Sequence, residues 1–421
     1  MTALLEERKT EHLVLLVGGN PLPNAVAGKL LVEPGGTITL IHSAGPAGTA
    51  DVAQRLREWL HPGNAAPSVG LKEVQESNPT SISRGVRECL ETVKAQRVGL
   101  NYTGGTKAMS VHAYRTLEQW AKEKDIRPVF SYLDARTLEM VFDPVNASSG
   151  EQKVYVGRAL ELKLTDLLAL HGWTLQHEPT RTALLPITAC ALAKACATDD
   201  GFRDWKRWIE DELHAKCRRS DRDGWKSKTQ LQSVRLTLPE SESLRKVAQL
   251  MRSELELPQE GDIGLSHPTF RNEPKDFCSW LHGKWLEHHV LDVLNGLATS
   301  LYLHERAQNI VPKEVEFDVD VVAIRGYQLF AFSCSTDTKK SLLKLKLFEA
   351  YVRARQLGGD EARVALVCCS DDPDGLEHEM RRDVDPEGRI RVFGRKHLAN
   401  LTEHLREWIR TQSGADPEGK E

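Results

Sequence analysis

Four short apolar runs mark the first third of the chain: HLVLLVGG (12–19), TITLIHS (37–43), RVGLNYTGG (97–105) and PVFSYLD (128–134). Each is essentially continuous rather than alternating, the pattern of a strand buried on both faces of a parallel sheet. Between them, residues 49–60, 81–96 and 107–124 read as helices. This strand-helix alternation predicts an open, doubly wound α/β domain over about residues 1–150, in which ligands bind beyond the carboxyl ends of the strands.

Three of those strand ends carry glycine: VGGNPLPN (17–24), HSAGPAG (42–48) and NYTGGTK (101–107). Gly104 and Gly105 let backbone approach a ligand and expose amide groups, and the helix that follows presents its amino terminus to an anion such as phosphate. Thr103 and Thr106 add hydroxyls, and Lys107 a positive charge. One glycine pair alone is an ordinary βα turn, but three glycine-bearing ends in one sheet predict an amide-rich, phosphate-binding floor. The spacing matches neither GxxxxGK[ST] nor GxGxxG, which disfavours a nucleoside triphosphate or a dinucleotide.

The middle of the chain, about 151–270, says less. GRALELKLTDLLALHGWTL (157–175) predicts a helix stopped at His171-Gly172 and then a strand, and DWKRWIEDELHAKCRRSDRDGWKSK (204–228) reads as a solvated amphipathic helix rather than a nucleic-acid surface. Leu238 to Leu265, rich in Pro, Glu, Ser and Gly, is expected to be a loose connection or insertion. The last third regains a pattern. DFCSWLHGKWLEHHVLDVLNGL (276–297) is an amphipathic helix, a strand is possible over 300–311, and KEVEFDVDVVAIRGYQLFAFSCST (313–336) reads as a hairpin about RGY with Asp318 and Asp320 on one face. A helix stopped by Gly358-Gly359 and a buried strand, ARVALVCC (362–369), follow.

Composition narrows the options. At 421 residues the chain is expected to hold two or three domains. No apolar run reaches the roughly 18 residues of a membrane span and no leader pattern stands at Met1, so a soluble, cytoplasmic protein is expected. Eight scattered cysteines without a CxxC pair suit neither a disulfide framework nor a zinc ribbon. With a net charge of −4, any nucleic-acid surface must be a local patch.

LLVGGNPLPN followed by NYTGGTKAMS resembles the CARF domain, the sensor of cyclic oligoadenylates in type III CRISPR defence, over about residues 10–145. The resemblance implies a Rossmann-like sensor in which Gly18, Gly19, Asn20 and Pro21, Ser43 at the second strand end, and Thr103, Gly104, Gly105, Thr106 and Lys107 line a ring-shaped ligand, cyclic tetra- or hexa-adenylate acting as allosteric activator. It also implies a homodimer. GKWLE, DVDVVAI and RARQLGGDEARVALV resemble the effector half of CARF-linked ancillary nucleases, with the helix-strand-helix-strand order of the restriction-endonuclease-like PD-(D/E)XK fold.

Such a nuclease acts on DNA or RNA and needs carboxylates around a Mg2+ or Mn2+ ion, with a lysine nearby. Glu287 and Asp320 are the expected metal ligands, with Asp318 beside them. Where the family pattern has glutamate and lysine two residues apart, this chain has Ser333 and Ser335, so lysine is expected from the next helix, from Lys339, Lys340 or Lys344. The sequence expectation is therefore a sensor at 1–150, a linker at 151–270, a nuclease-like domain at 271–412 and a disordered tail at 413–421. Two alternatives stay open: a non-catalytic sensor whose nuclease-like domain binds nucleic acid or a protein, and a CARF domain that cleaves its own ligand.

Overall fold

The computed structural model describes residues 2–61, 63, 67–92, 94–144, 152–219, 224–270 and 272–414. Seven strands, β1 (Thr10–Leu16), β2 (Val32–Ser43), β3 (Ser68–Val74), β4 (Val98–Asn101), β5 (Val129–Asp134), β6 (Glu139–Phe142) and β7 (Gln152–Tyr155), form a sheet in the order β3-β2-β1-β4-β5-β6-β7. β1 to β5 are parallel; β6 pairs antiparallel with β5, and β7 antiparallel with β6. The continuous apolar run of β1 has a plain cause. Leu13 and Leu15 pack under the helices Leu22–Leu31 and Ala50–Leu60, while Val14 and Leu16 pack on the opposite face under Pro79–Glu91 and Lys107–Lys124.

After the two-residue ladder of β8 (Arg235–Leu236) and β9 (Ile263–Gly264), a second sheet runs β10 (Glu305–Ile310), β11 (Val319–Arg325), β12 (Gln328–Ser335), β13 (Arg363–Cys368) and β14 (Ile390–Phe393) in chain order. β10, β11 and β12 pair antiparallel, and β12, β13 and β14 pair parallel. The β11–β12 hairpin turns at Gly326, whose φ of 62° suits glycine. The helix Lys340–Gly358 makes the crossover that the parallel β12–β13 pair requires.

The two sheets share a core. One cluster runs from Leu22 and Leu56 of the first half to Leu329, Leu347 and Leu357 of the second. A second fills the other face of the second sheet, where Phe330, Phe332 and Val367 meet the helix Trp285–Leu301 and the central helices. Leu238 to Leu265 is not the loose connection its composition suggested. It holds the helix Arg245–Glu254, and Leu244, Val247, Met251, Ile263 and Leu265 are buried in that second core. The helix after Gly157 is shorter than expected, Leu164–Leu170, and the segment beyond it makes only isolated bridges, Leu175 with Pro312 and Thr180 with Gln308. At the end of the chain Ser413 is buried and its carbonyl accepts from Tyr155 Oη at 3.0 Å; the tail from residue 415 onward lies outside the described residues. Among the described residues, no helix is long and apolar enough to cross a membrane.

Candidate functional site

Strand order reverses between β1 and β4, so the loops leaving these neighbours flank a crevice at the carboxyl edge of the sheet. The two loops are packed backbone on backbone. A Cβ added to Gly18 would lie 3.0 Å from Gly105 N, and one added to Gly104 would lie 2.2 Å from Leu16 O, a distance no side chain tolerates. Gly105 has a φ of 75°. Gly104 by contact and Gly105 by its φ are therefore required by the fold here, Gly18 is held in tight contact, and Gly19 is exposed with open space above it. The β2 end joins the floor through Thr49, which sequence reading missed. Ser43 N donates to Thr49 Oγ1, Thr49 N donates to Ser43 Oγ, and Thr49 Oγ1 donates to Val17 O at 3.2 Å.

Several hydroxyls and amides of the predicted set already have protein partners. Thr103 Oγ1 donates to Asn101 Oδ1 at 2.8 Å and accepts from Leu133 N at 2.7 Å. Thr106 is the N-cap of Lys107–Lys124, accepting from Met109 N at 3.2 Å. Asn20 Oδ1 accepts from Leu22 N at 3.1 Å, and Pro21 is buried at the start of the next helix. Lys107 is exposed at the first helical position, and that first turn holds no acidic residue. A cation there opposes the helix dipole, so the chain gains nothing from it in isolation and an anion would stabilise both lysine and amides.

In the second half, Asp320 lies on β11 and Asp318 just before it, exposed. Asp320 Oδ2 accepts from Cys334 N at 2.7 Å and Ser333 Oγ at 3.3 Å. Glu287, on the helix Trp285–Leu301, is buried, and its carboxyl is pushed up to about 8, by burial first and then by the charge of Asp320. Burial also raises Asp320, against the Cys334 amide and Lys346. Two carboxylates that resist ionising side by side are a fit for a hard divalent cation, which would neutralise both. Among the described residues no group of three His, Cys, Asp or Glu side chains is arranged to hold a metal, so water or substrate oxygens would complete any shell around Glu287 and Asp320.

The lysines fall differently from expectation. Lys340 donates to Glu379 at 2.6 Å and Lys344 pairs with the same carboxylate, on the helix Pro373–Asp383, while Lys339 is the N-cap of its own helix. The cation acting on both Glu287 and Asp320 from this helix is Lys346, whose Nζ donates to Cys334 O at 3.4 Å. Ser335 Oγ accepts from Asp337 N at 3.2 Å and so holds the strand end instead of filling a lysine's place.

The fold and its two sites define a two-sheet α/β protein with a glycine floor on one sheet and paired carboxylates on the other. No family model and no curated protein sequence matches the chain. Two solved structures share its fold along nearly their whole length. Protein VC1899 from Vibrio cholerae is 18% identical with a TM-score of 0.71, covering 96% of this chain and 99% of that one. Can2 from Sulfobacillus thermosulfidooxidans, solved in complex with cyclic tetra-adenylate, is 17% identical with a TM-score of 0.65, covering 96% and 98%.

Proposed function

We propose that the chain is a CARF-type protein of type III CRISPR defence that binds a cyclic oligoadenylate on the floor formed by the ends of β1, β2 and β4 and thereby switches on a metal-dependent nuclease in the second half. The observation that carries the first part is the backbone-on-backbone packing of the two glycine loops at the switch point, on a fold shared with a cyclic tetra-adenylate complex. Cyclic tetra-adenylate is accordingly the ligand to try first. A Mg2+ or Mn2+ ion held by Glu287 and Asp320 would supply Lewis-acid activation of the scissile phosphate of DNA or RNA. Lys346 would keep the carboxylates ionised, and Ser333 and the Cys334 amide would hold Asp320 in place. The rival reading, a nuclease fold kept as a binding module, is favoured by the serines at 333 and 335. The reading in which the floor cleaves its own ligand gains little from the threonines, because both hydroxyls are already engaged.

Replacing Lys107 by Glu sets a carboxylate against phosphate at the helix amino terminus. The expected loss of cyclic tetra-adenylate affinity is at least roughly tenfold, or about 1.4 kcal/mol. Calorimetry that gives the wild-type constant would remove Lys107 from the floor. A ring of repeated phosphates is best read by two copies of one floor about a two-fold axis, so light scattering is expected to show a dimer; a monomer with and without ligand would exclude that assembly.

A further inference from the structure

Two helices outside the floor each contain one turn of π-helix, Ile209–His214 and Trp280–Lys284, and the two turns pack on each other. Such turns are rare and cluster at functional positions, because the inserted residue redirects a side chain at a cost to the helix. Here each carries a histidine. Glu210 Oε2 lies 3.0 Å from His214 Nδ1, and His214 Nε2 lies 3.0 Å from His282 Nδ1. The carboxylate fixes the tautomers down this line. Ionised Glu210 is an acceptor only, so His214 Nδ1 carries a proton and neutral His214 accepts through Nε2. His282 must then donate through Nδ1, which leaves its Nε2 with a lone pair.

The helix turn that carries His282 approaches the end of the strand that bears Ser333 and Ser335. Gly283, the residue after His282, packs on Thr336 so closely that a Cβ would lie 3.0 Å from Thr336 Oγ1, and Thr336 follows Ser335 directly. Asp337, tied to Ser335, also acts on His282 by its charge. Aromatic and basic residues frame the imidazole: Trp225 stands edge-on to it, Arg218 lies over Trp225, and the charges of Arg218 and Lys206 disfavour a cation at His282. Burial together with those charges keeps His282 neutral, down at about 4 in the absence of substrate, and a phosphodiester anion facing it would raise its proton affinity.

We infer that Glu210, His214 and His282 form a proton relay serving the second-half site, with His282 Nε2 the base that takes the proton of the attacking water. It rests on the nuclease reading and supplies a proton-handling group that Ser333 and Ser335 cannot. The water oxygen forms the new bond to phosphorus and gives its proton to His282 Nε2. The bond from phosphorus to the sugar oxygen breaks, and that oxygen leaves with a proton from solvent. The imidazolium, stabilised through His214 by Glu210, then returns its proton to solvent. In this scheme His282 is a catalytic residue, and His214 and Glu210 are positioning residues.

The test uses the full chain with cyclic tetra-adenylate, manganese, a plasmid and an RNA, with cleavage rates followed between about pH 4 and 9 and ligand affinity measured by calorimetry. His282→Gln is expected to lower cleavage at least roughly 100-fold at unchanged ligand affinity. Glu210→Gln, at an exposed position, is expected to keep activity within roughly tenfold of wild type and to move the acid limb of the rate profile to lower pH, because the imidazolium loses its carboxylate. A merely structural pair would leave that limb in place. If His282→Gln cuts like wild type with the same profile while Asp320→Asn is dead, the relay is wrong and the nuclease stands. If His282→Gln loses ligand affinity as well, an unmoved limb in Glu210→Gln overturns the relay and a moved one supports it. Wild-type protein that cuts nothing under any combination removes both readings together.

Discussion

Asp320→Asn is expected to abolish ligand-dependent cleavage of DNA and RNA, a fall of at least roughly 10³-fold if metal activation is worth several kcal/mol, while cyclic tetra-adenylate affinity stays at the wild-type value. The substitution keeps the side chain's shape but removes one of the two charges available to a cation, and it turns an acceptor of the Cys334 amide and the Ser333 hydroxyl into a group that is half donor. Glu287 alone, buried and already reluctant to ionise, would hold a divalent ion poorly. The departure at 333 and 335 gives the control. Ser333→Glu together with Ser335→Lys is expected to raise cleavage if the site is merely weakened. Gel assays of nicking and of RNA cleavage, with and without ligand and manganese, decide the matter. An Asp320→Asn protein that cuts as fast as wild type would take Asp320 out of the chemistry.

The parts of this molecule that could be read from sequence are those whose pattern is set locally. β1, β4 and β5 were legible because strands buried on both faces are continuously apolar, and the helix Lys107–Lys124 because it follows the glycine turn at a strand end; the cap role of Thr106 came only with the structure. β3 was not, since SVGLKEV sits at the sheet edge, half exposed, with no run to betray it. The helix Leu22–Leu31 hid behind GGNPLP, which reads as a turn. The section from 238 to 265 was misread because composition records polar residues but not the eight apolar ones, from Leu238 to Leu265, that face the core. At the sites, residue type identified the glycine floor and the paired acids, whereas partner choice required the fold. Lys346 is distinguished from Lys340 and Lys344 only by which helix faces it, since Glu379 draws the other two. The His214–His282 contact joins positions 68 residues apart and had no sequence signal beyond the histidines themselves.

The second large effect is expected at Gly359, where the two halves of the chain meet. This residue ends the helix Lys340–Gly358 with φ 63° and ψ −150°, a conformation open in practice to glycine alone, and a Cβ there would lie 1.9 Å from Asn20 Nδ2. Asn20 belongs to the GGN turn of the glycine floor and cannot easily give way, because its Oδ1 accepts from Leu22 N. The same helix end is held a second time by His171 Nε2, which donates to Leu357 O at 3.1 Å. Three turns back along the helix stands Lys346, facing Asp320 and Glu287. The glycine floor and the carboxylate pair are thus joined by one helix whose end packs on the GGN turn. Gly359→Ala therefore meets two penalties at once, roughly 1–3 kcal/mol of backbone strain and a steric clash that must displace either the loop or the helix. A thermal midpoint lower by a few degrees is expected, together with a ratio of ligand-stimulated to basal cleavage at least roughly tenfold below wild type. Pairing it with Asn20→Gly separates the causes: the double variant is expected to regain the steric part of the stability and to keep the backbone strain, with Asn20→Gly alone as the fourth corner of the cycle. Gly359→Ala protein that melts and responds to ligand exactly as wild type does would show that the helix end has room to spare and that the floor speaks to the second half by another route.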